Sequence, residues 1–333
     1  MLRYRKLASR CMPVAILLSL LLPVLVLEAI PETSEADVHA RQSYALAREG
    51  RLPEAENEMQ EAIRLAPQNP LYHSALAGLL SKGGKLDDAK AEFEKALDLD
   101  PEPAVRAQLS ERLKQVELNL GAQLGQAGRY RDGLLLASSA AARFPREAQV
   151  FQMLGYFQAK LQLNKEAVRA YSRALQLDPS SPEASVGLAT SQFSAGLEDE
   201  AVRTLEAGIA RFPEDAIHYQ ALGVILLQLS EQGRDTKARA RTMFEKALQL
   251  NSALAESNYQ LGRLELDANE MDSAEAHLLS AERSAPSDSR VHFVLARFYR
   301  KRGNADRAAR EMQAFQAAKA AEGSAQGSKQ TAQ

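Results

Sequence analysis

The pattern of hydrophobic and polar positions repeats along most of this chain, and small residues take fixed places in it. Ala167, Tyr171 and Ala174 precede Pro179 by twelve, eight and five positions, and a similar small–large–small series precedes the other recurring prolines, except that Ala137 takes the large position before Pro145. Two helices approach closely only where neither presents a bulky side chain. The pattern therefore predicts pairs of packed helices, with the proline ending the second helix because it lacks an N–H group.

The spacing of these prolines gives the length of the repeating unit. Pro67 and Pro101 are 34 residues apart, as are Pro179 and Pro213, whereas the step from Pro101 to Pro145 is 44. A fixed period of 20 to 50 residues is typical of stacked repeat proteins, and 34 residues suits a pair of helices.

With this period and these small residues, the chain resembles the tetratricopeptide repeat family. Eight repeats can be counted over residues 36–320, starting near Ala36, Pro70, Ala104, Ala148, Pro182, Ala216, Ala255 and Ser289. The resemblance implies an all-α fold, a right-handed superhelical solenoid of antiparallel helix pairs. The fourth position of the repeat, aromatic in that family, has no Trp here, and we interpret its three histidines as filling the space: His39, His73 and His292.

Three segments depart from the regular repeat. The ten residues added before Pro145 predict a lengthened first helix near 104–127, since apolar residues keep helical spacing there without an intervening Gly or Pro until Gly121. Five residues added near 230–238 predict a longer turn between two helices. The end of the chain, 321–333, is rich in Gly, Ser and Gln without periodicity and is predicted to be disordered.

Residues 1–35 predict export from the cytoplasm. Four positive charges precede a nearly uncharged apolar run over residues 12–30, which is typical of a secretory signal. The run is also long enough to span a bilayer, so a cleaved signal peptide and a retained transmembrane anchor are both open. Either way the repeats are expected to be periplasmic or extracellular, with membrane contact only through residues 12–30.

Composition and motifs exclude several function classes. The net charge of −2 argues against nucleic acid as the main ligand, which normally requires a basic face. The chain has no metalloprotease, redox-dithiol, phosphate-loop or nucleophile-elbow motif. We therefore expect no enzyme activity, no cofactor and no metal site, and the histidines have no evident ligand partner at metal-binding spacing in the sequence.

The resemblance places the partner-binding surface on the first helices of the repeats, in a concave groove. Read onto this sequence, it implies that the groove contains aromatic, amide and basic residues, together with Lys301: Tyr44, Gln152, Tyr156, Phe193, Gln220, Tyr259, Arg263, Phe293, Arg297 and Arg300. Aromatic and Arg side chains are frequent anchors in protein interfaces. The basic residues near the C-terminal end favour an acidic ligand or a C-terminal carboxylate there.

Two functions from different classes follow as hypotheses. The first is a non-catalytic scaffold that binds a peptide or partner protein, by analogy in the assembly of envelope or secretion machinery. The second is a non-catalytic accessory subunit of a separately encoded enzyme. Self-association through the last repeat is a third hypothesis, and the sequence leaves the oligomeric state open.

Overall fold

The computed structural model describes residues 34–99 and 101–331, with side chains through residue 323. These residues form helices and the turns between them, and no strand is found in the described ranges. The predicted signal or anchor segment lies outside the described residues except for its last two positions. The sixteen described helices are α1 (Glu35–Arg48), α2 (Leu52–Leu65), α3 (Pro70–Lys82), α4 (Leu86–Asp98), α5 (Pro103–Gln126), α6 (Tyr130–Arg143), α7 (Ala148–Lys160), α8 (Asn164–Leu177), α9 (Pro182–Ser194), α10 (Glu198–Arg211), α11 (Ala216–Glu231), α12 (Lys237–Leu250), α13 (Ala255–Asp267), α14 (Met271–Ser284), α15 (Ser289–Lys301) and α16 (Ala305–Thr331).

The odd-numbered helices often begin at a side chain that caps their free N–H groups. Asn69 accepts a hydrogen bond from the backbone N–H of Leu71, and Asp215 accepts one from Ile217. Such caps satisfy donors that have no partner inside the helix. The even-numbered helices α2 to α14 have no side-chain cap of this kind and instead follow a tight turn.

That turn places one residue in the left-handed backbone region, which glycine adopts without steric strain. Six of these positions are glycine: Gly50, Gly84, Gly128, Gly196, Gly233 and Gly303. Gln162 and Asn269 take the same conformation at the corresponding turns, with φ of 63° and 65°. A residue in the left-handed conformation thus follows each of the eight described odd-numbered helices, and in six of the eight it is glycine.

The chain divides into two compact units, one ending at Leu161 and the other beginning at Gln162. In the first unit, α1 to α7, each helix packs against the next, and the core contains large buried side chains such as Met59, Phe93 and Phe157. In the second unit, α8 to α16, the helices likewise pack in chain order. Its interior includes Phe244 and Phe298, neither of which is exposed.

Small residues occupy the closest approaches between helices, as the sequence pattern predicts. Gly133 of α6 faces the Phe157 ring of α7, and a β-carbon at Gly133 would lie 2.1 Å from that ring. In the second unit Gly262 faces Leu278 in the same way, at 2.6 Å. These distances are too short for any side chain, so glycine is required for the observed packing.

The two insertions have different structural effects. Helix α5 has 24 residues, compared with 13 in α7, so the residues added to the third repeat lie within this helix. Helix α11 has 16 residues against 13 in α13, and the connection after it, residues 232–236, has five residues where the connection at 268–270 has three. The insertion in the sixth repeat is therefore divided. Three residues extend α11, and two lengthen the turn that was predicted to contain all five.

The last helix extends beyond the final predicted repeat. Helix α16 runs for 27 residues to Thr331, into the segment for which the sequence predicts disorder. No proline stands between residues 305 and 331 to stop it. None of the helices in the described ranges is both long and apolar enough to cross a bilayer.

Candidate partner-binding site

One exposed stripe stands out on α15, the first helix of the last repeat. Phe293, Arg297, Arg300 and Lys301 are exposed, while the residues between Phe293 and Arg297 and between Arg297 and Arg300 are buried. Positions four and three apart lie on the same side of a helix, which gathers these side chains into one surface. We call these four residues the α15 stripe.

The α15 stripe borders an open depression of about 400 Å³. Arg297, Arg300 and Lys301 line it from α15, and Leu266 and Asp267 line it from the end of α13. Phe293 lies one turn before Arg297, is 42% exposed and packs against Phe315 of α16, with 5.4 Å between the ring centroids. Three cations therefore line the depression, and an exposed apolar ring lies one helical turn away on the same face of α15.

Most basic side chains near the stripe already have partners within the protein. Arg297 pairs with Asp267 at 3.4 Å, and the Lys301 Nζ donates to the backbone carbonyl of Leu266 at 3.0 Å. Arg302 pairs with Asp272 at 2.7 Å. The Arg300 guanidinium has no hydrogen bond or ion pair within the described residues, so it is the cation most available to a ligand.

Arg290, at the start of α15, has a structural role instead. Its guanidinium pairs with Glu256 at 2.7 Å and Asp288 at 2.8 Å, and it lies over the Tyr259 ring at 4.7 Å from the centroid. Burial opposes its charge, but the two carboxylates more than compensate and raise the pKa of Arg290 above its ordinary value. Tyr259 is left only 8% exposed.

The other predicted groove residues of the second unit do not share the exposure of the stripe. Gln220 is buried and accepts a hydrogen bond from the Ser257 hydroxyl at 3.1 Å. Arg263 is half-buried and pairs with Glu231 at 3.2 Å, and Phe193 is half-buried in α9. Among the predicted residues of this unit, the structure therefore brings Phe293, Arg297 and Arg300 together on an open surface.

The remaining predicted residues lie in the first unit. Tyr156 of α7 is half-buried, meets the Phe157 ring edge-on and has the Lys160 Nζ at 5.4 Å from its centroid, while Gln152 stands one turn earlier. Tyr44 of α1 is also half-buried, and burial raises its pKa above the usual value. These aromatic residues are largely engaged in packing.

The fourth repeat position forms polar links between helices, a feature that the space-filling interpretation of its histidines missed. His39, His73 and His292 each hold a glutamate nineteen residues later through Nδ1, at 2.7, 2.7 and 2.8 Å, the partners being Glu58, Glu92 and Glu311. At the same position Asn258 donates to the Ser252 carbonyl and Glu117 pairs with Arg143. The signal that could have shown this is the glutamate at a constant distance of 19 from each histidine.

Helices that pack in chain order within each unit, with small residues at their contacts, define a helical-repeat protein. The comparisons specify which kind. Tetratricopeptide repeat models match residues 46–111 and 160–223, and also residues 118–182, 232–289 and 259–325. The matches together cover most of the chain, which belongs to the tetratricopeptide repeat family. Members of this family generally act as protein-interaction scaffolds and are typically non-catalytic.

Solved structures share this fold at low sequence identity. A structure described as the functional characterization of Pseudomonas aeruginosa pilF is 19% identical, covers 61% of this chain and 90% of its own, and gives a TM-score of 0.52. A monomeric IFIT1 mutant with m7Gppp-AAAA is 17% identical, covers 84% of this chain and 68% of its own, and gives 0.50. YrrB, described as a TPR protein with an unusual peptide-binding site, is 23% identical and covers 60% of this chain and 95% of its own, at a TM-score of 0.45. No curated protein matches the sequence.

Proposed function

We propose that this protein is a non-catalytic scaffold that binds a peptide segment of a partner protein on the α15 stripe. The observation that supports this is the exposed Phe293 ring one helical turn from Arg297, which lines a depression together with Arg300. Aromatic and Arg side chains account for a large share of the binding energy in many interfaces. A peptide can bury the ring and meet the cations at the same time.

The charge of the stripe indicates the chemistry of the ligand. Arg300 is unpaired within the described residues, and Arg297 and Asp267 are both 45% exposed, so their ion pair is weak and exchangeable. Arg binds carboxylates through two parallel hydrogen bonds. The favoured ligand is a segment with an apolar side chain followed by acidic residues or by a C-terminal carboxylate.

A place outside the cytoplasm is part of the proposal. Its support is the N-terminal sequence, four positive charges followed by the apolar run at 12–30. We propose that the repeats act in the assembly of envelope or secretion machinery, after export as a cleaved or membrane-anchored protein. Fractionation of cells that express the full chain tests this, because a chain recovered entirely in the cytoplasm would contradict it.

The binding site is tested by photo-crosslinking of the full chain in its native cells. A crosslinker is placed at Lys301, next to Arg300, and captured proteins are compared between the wild type and a Phe293→Ala, Arg300→Ala double variant. The control is Arg169→Ala in α8, which removes an exposed Arg from an even-numbered helix of the same unit. We expect the double variant to lose the partner that the wild type and the control capture.

The outcomes separate the hypotheses. Capture that is unchanged in the double variant would place the ligand elsewhere, and capture of a catalytic chain would favour the accessory-subunit function. A fluorescent capped RNA oligonucleotide serves as a second probe, because the IFIT1 structure contains one. The net charge of −2 predicts no binding of that probe at physiological salt.

A further inference from the structure

The last repeat brings one histidine and two carboxylates together. Glu282 comes from α14, His292 from α15 and Glu311 from α16. Each offers one ligand atom, and these atoms all lie within 4.8 Å of one another. His292 is buried and the two glutamates are half-buried, so the cluster is partly shielded from water.

The His292 ring is fixed in the orientation that a metal ligand needs. Its Nε2–H donates to the backbone carbonyl of Pro286 at 2.9 Å, which leaves Nδ1 directed at Glu311 at 2.8 Å. A carbonyl only accepts, so the tautomer is set by Pro286, and Nδ1 holds either a second proton or a free lone pair. Histidines that bind metals are commonly held through the other ring nitrogen in this way.

Glu282 gives the cluster an excess of negative charge. When His292 is protonated, its single positive charge faces two carboxylates. When His292 is neutral, no positive charge of the cluster compensates them. A divalent cation among the three side chains would compensate both carboxylates.

The second repeat contains the same arrangement without the third ligand. His73 Nδ1 meets Glu92 at 2.7 Å, and its Nε2–H donates to the Pro67 carbonyl at 3.0 Å. The residue that corresponds to Glu282 is Ile63, ten positions before the histidine in both cases. The His–Glu–carbonyl link is therefore a structural element of the repeat, and Glu282 is the addition that turns it into a three-ligand cluster.

We propose that Glu282, His292 and Glu311 bind a divalent first-row transition ion of the Zn²⁺ type. Imidazole nitrogen with carboxylate oxygens suits such ions. Ligand atoms around a tetrahedral Zn²⁺ lie about 3.3 Å apart, since Zn–N and Zn–O distances are about 2.0–2.2 Å. The half-buried carboxylates need to rotate by a small amount to reach this geometry, and water supplies the fourth ligand.

The ion binds the Nδ1 lone pair of His292, and where Nδ1 holds a second proton, coordination releases that proton to solvent. The bound ion then joins α14, α15 and α16, which stabilises the folded C-terminal repeats by mass action. Occupancy would tie α16 to the helix that contains the α15 stripe.

The test is isothermal titration calorimetry, in which ZnCl₂ is added to the tag-free full chain. The chain is first treated with EDTA, and the chelator is then removed. Glu282→Gln is the main variant, because it removes a ligand oxygen charge while the His292 links to Glu311 and Pro286 remain. His73→Gln is the matched control, since it removes the two-ligand counterpart. We expect one equivalent of Zn²⁺ for the wild type and for His73→Gln, and at least tenfold weaker binding for Glu282→Gln.

A second readout separates binding from folding. Zn²⁺ is expected to raise the melting temperature of the wild type and not that of Glu282→Gln, while both chains melt alike in EDTA. No stoichiometric uptake of Zn²⁺ by the wild type would overturn the proposal. Equal loss of affinity in His73→Gln and Glu282→Gln would also overturn it, because it would show a general effect of His–Glu pairs.

Discussion

Gly223 of α11 lies directly against the Phe244 ring of α12, where a β-carbon on Gly223 would stand 2.8 Å from the ring. Phe244 is fully buried, so the ring has no space into which to move. The contact shows why small residues recur in the chain: each one lets a large side chain of the neighbouring helix reach the helix backbone.

Gly223→Ala is expected to lower the free energy of unfolding by about 1–3 kcal/mol, because the added methyl group overpacks a filled site. Urea unfolding monitored by circular dichroism measures it. The matched control is Gly78→Ala in α3, where nothing lies within 4 Å of the new β-carbon. That change should stabilise by about 0.5–1 kcal/mol, since alanine is the better helix former. An equal effect of both changes would refute the packing argument.

Gln162 occupies the left-handed turn position that is glycine in six other turns. Gln162→Gly is expected to stabilise the protein by about 1 kcal/mol, because a side chain in this conformation is strained. Asn269→Gly should gain less, since asparagine tolerates the left-handed region better. The urea concentrations at the unfolding midpoints of the two variants, each compared with that of the wild type, test this order of stabilisation. A Gln162→Gly protein that is less stable than the wild type would contradict it.

Glu117 of α5 is 1% exposed and pairs with Arg143 of α6 at 2.9 Å. Its second oxygen, Oε2, has no hydrogen-bond partner in the described chain, and burial raises the pKa of the carboxyl group. Arg143→Met would leave this buried carboxylate without its counter-charge and is expected to destabilise the protein by about 3 kcal/mol at pH 7.

The pH dependence of that effect follows from the raised pKa. Arg143 lowers the pKa of Glu117 against the effect of burial, so its removal raises the folded-state pKa further. The destabilisation by Arg143→Met therefore grows as the pH rises through the folded-state pKa, which lies above 4.5, and is smallest below it. Urea unfolding of the variant at pH 4.5 and pH 7 measures this difference. Adding Glu117→Gln to Arg143→Met should remove most of the change with pH, and a persistent change would implicate another group.

The Tyr72 hydroxyl of α3 donates a hydrogen bond to Asp37 of α1. The bonds from Tyr72 and Ser34 lower the pKa of Asp37, while burial and Asp37 raise the pKa of Tyr72 to about 12. The depressed pKa of Asp37 represents stability that is present above pH 3.8 and is lost as the pH falls through the lower, folded-state value.

Tyr72→Phe is therefore expected to reduce the free energy of unfolding by about 1 kcal/mol near pH 6, with a smaller reduction below pH 3.8. Spectrophotometric titration of the wild type should show one tyrosine ionising near pH 12 that is missing from the variant. A constant difference in stability from pH 2 to pH 7 would show that the hydrogen bond is not responsible.

The repeat itself could be predicted from the sequence because its signals are local. Pro179 and the small residues before it mark one helix pair, and glycines such as Gly84 mark the turns. Backbone conformation and the closest helix contacts depend on the residue at the position itself, so a period of 34 is enough to locate them. The local pattern does not decide how the five residues added to the sixth repeat are divided between α11 and the turn after it, because a helix extension and a longer turn use similar residues.

Whether each predicted site residue is buried or exposed depends on contacts between distant parts of the chain. Tyr259 and Gln220 have the same repeat position as Phe293, yet they are buried, and Tyr259 is covered by Arg290, 31 residues further on. Likewise Glu282 joins His292 and Glu311 from a different helix. The sequence by itself determined the helices, their order and their small-residue contacts. Only the tertiary structure decided which polar side chains are paired, buried or free, because side chains from separate helices compete for the same partners in the packed protein.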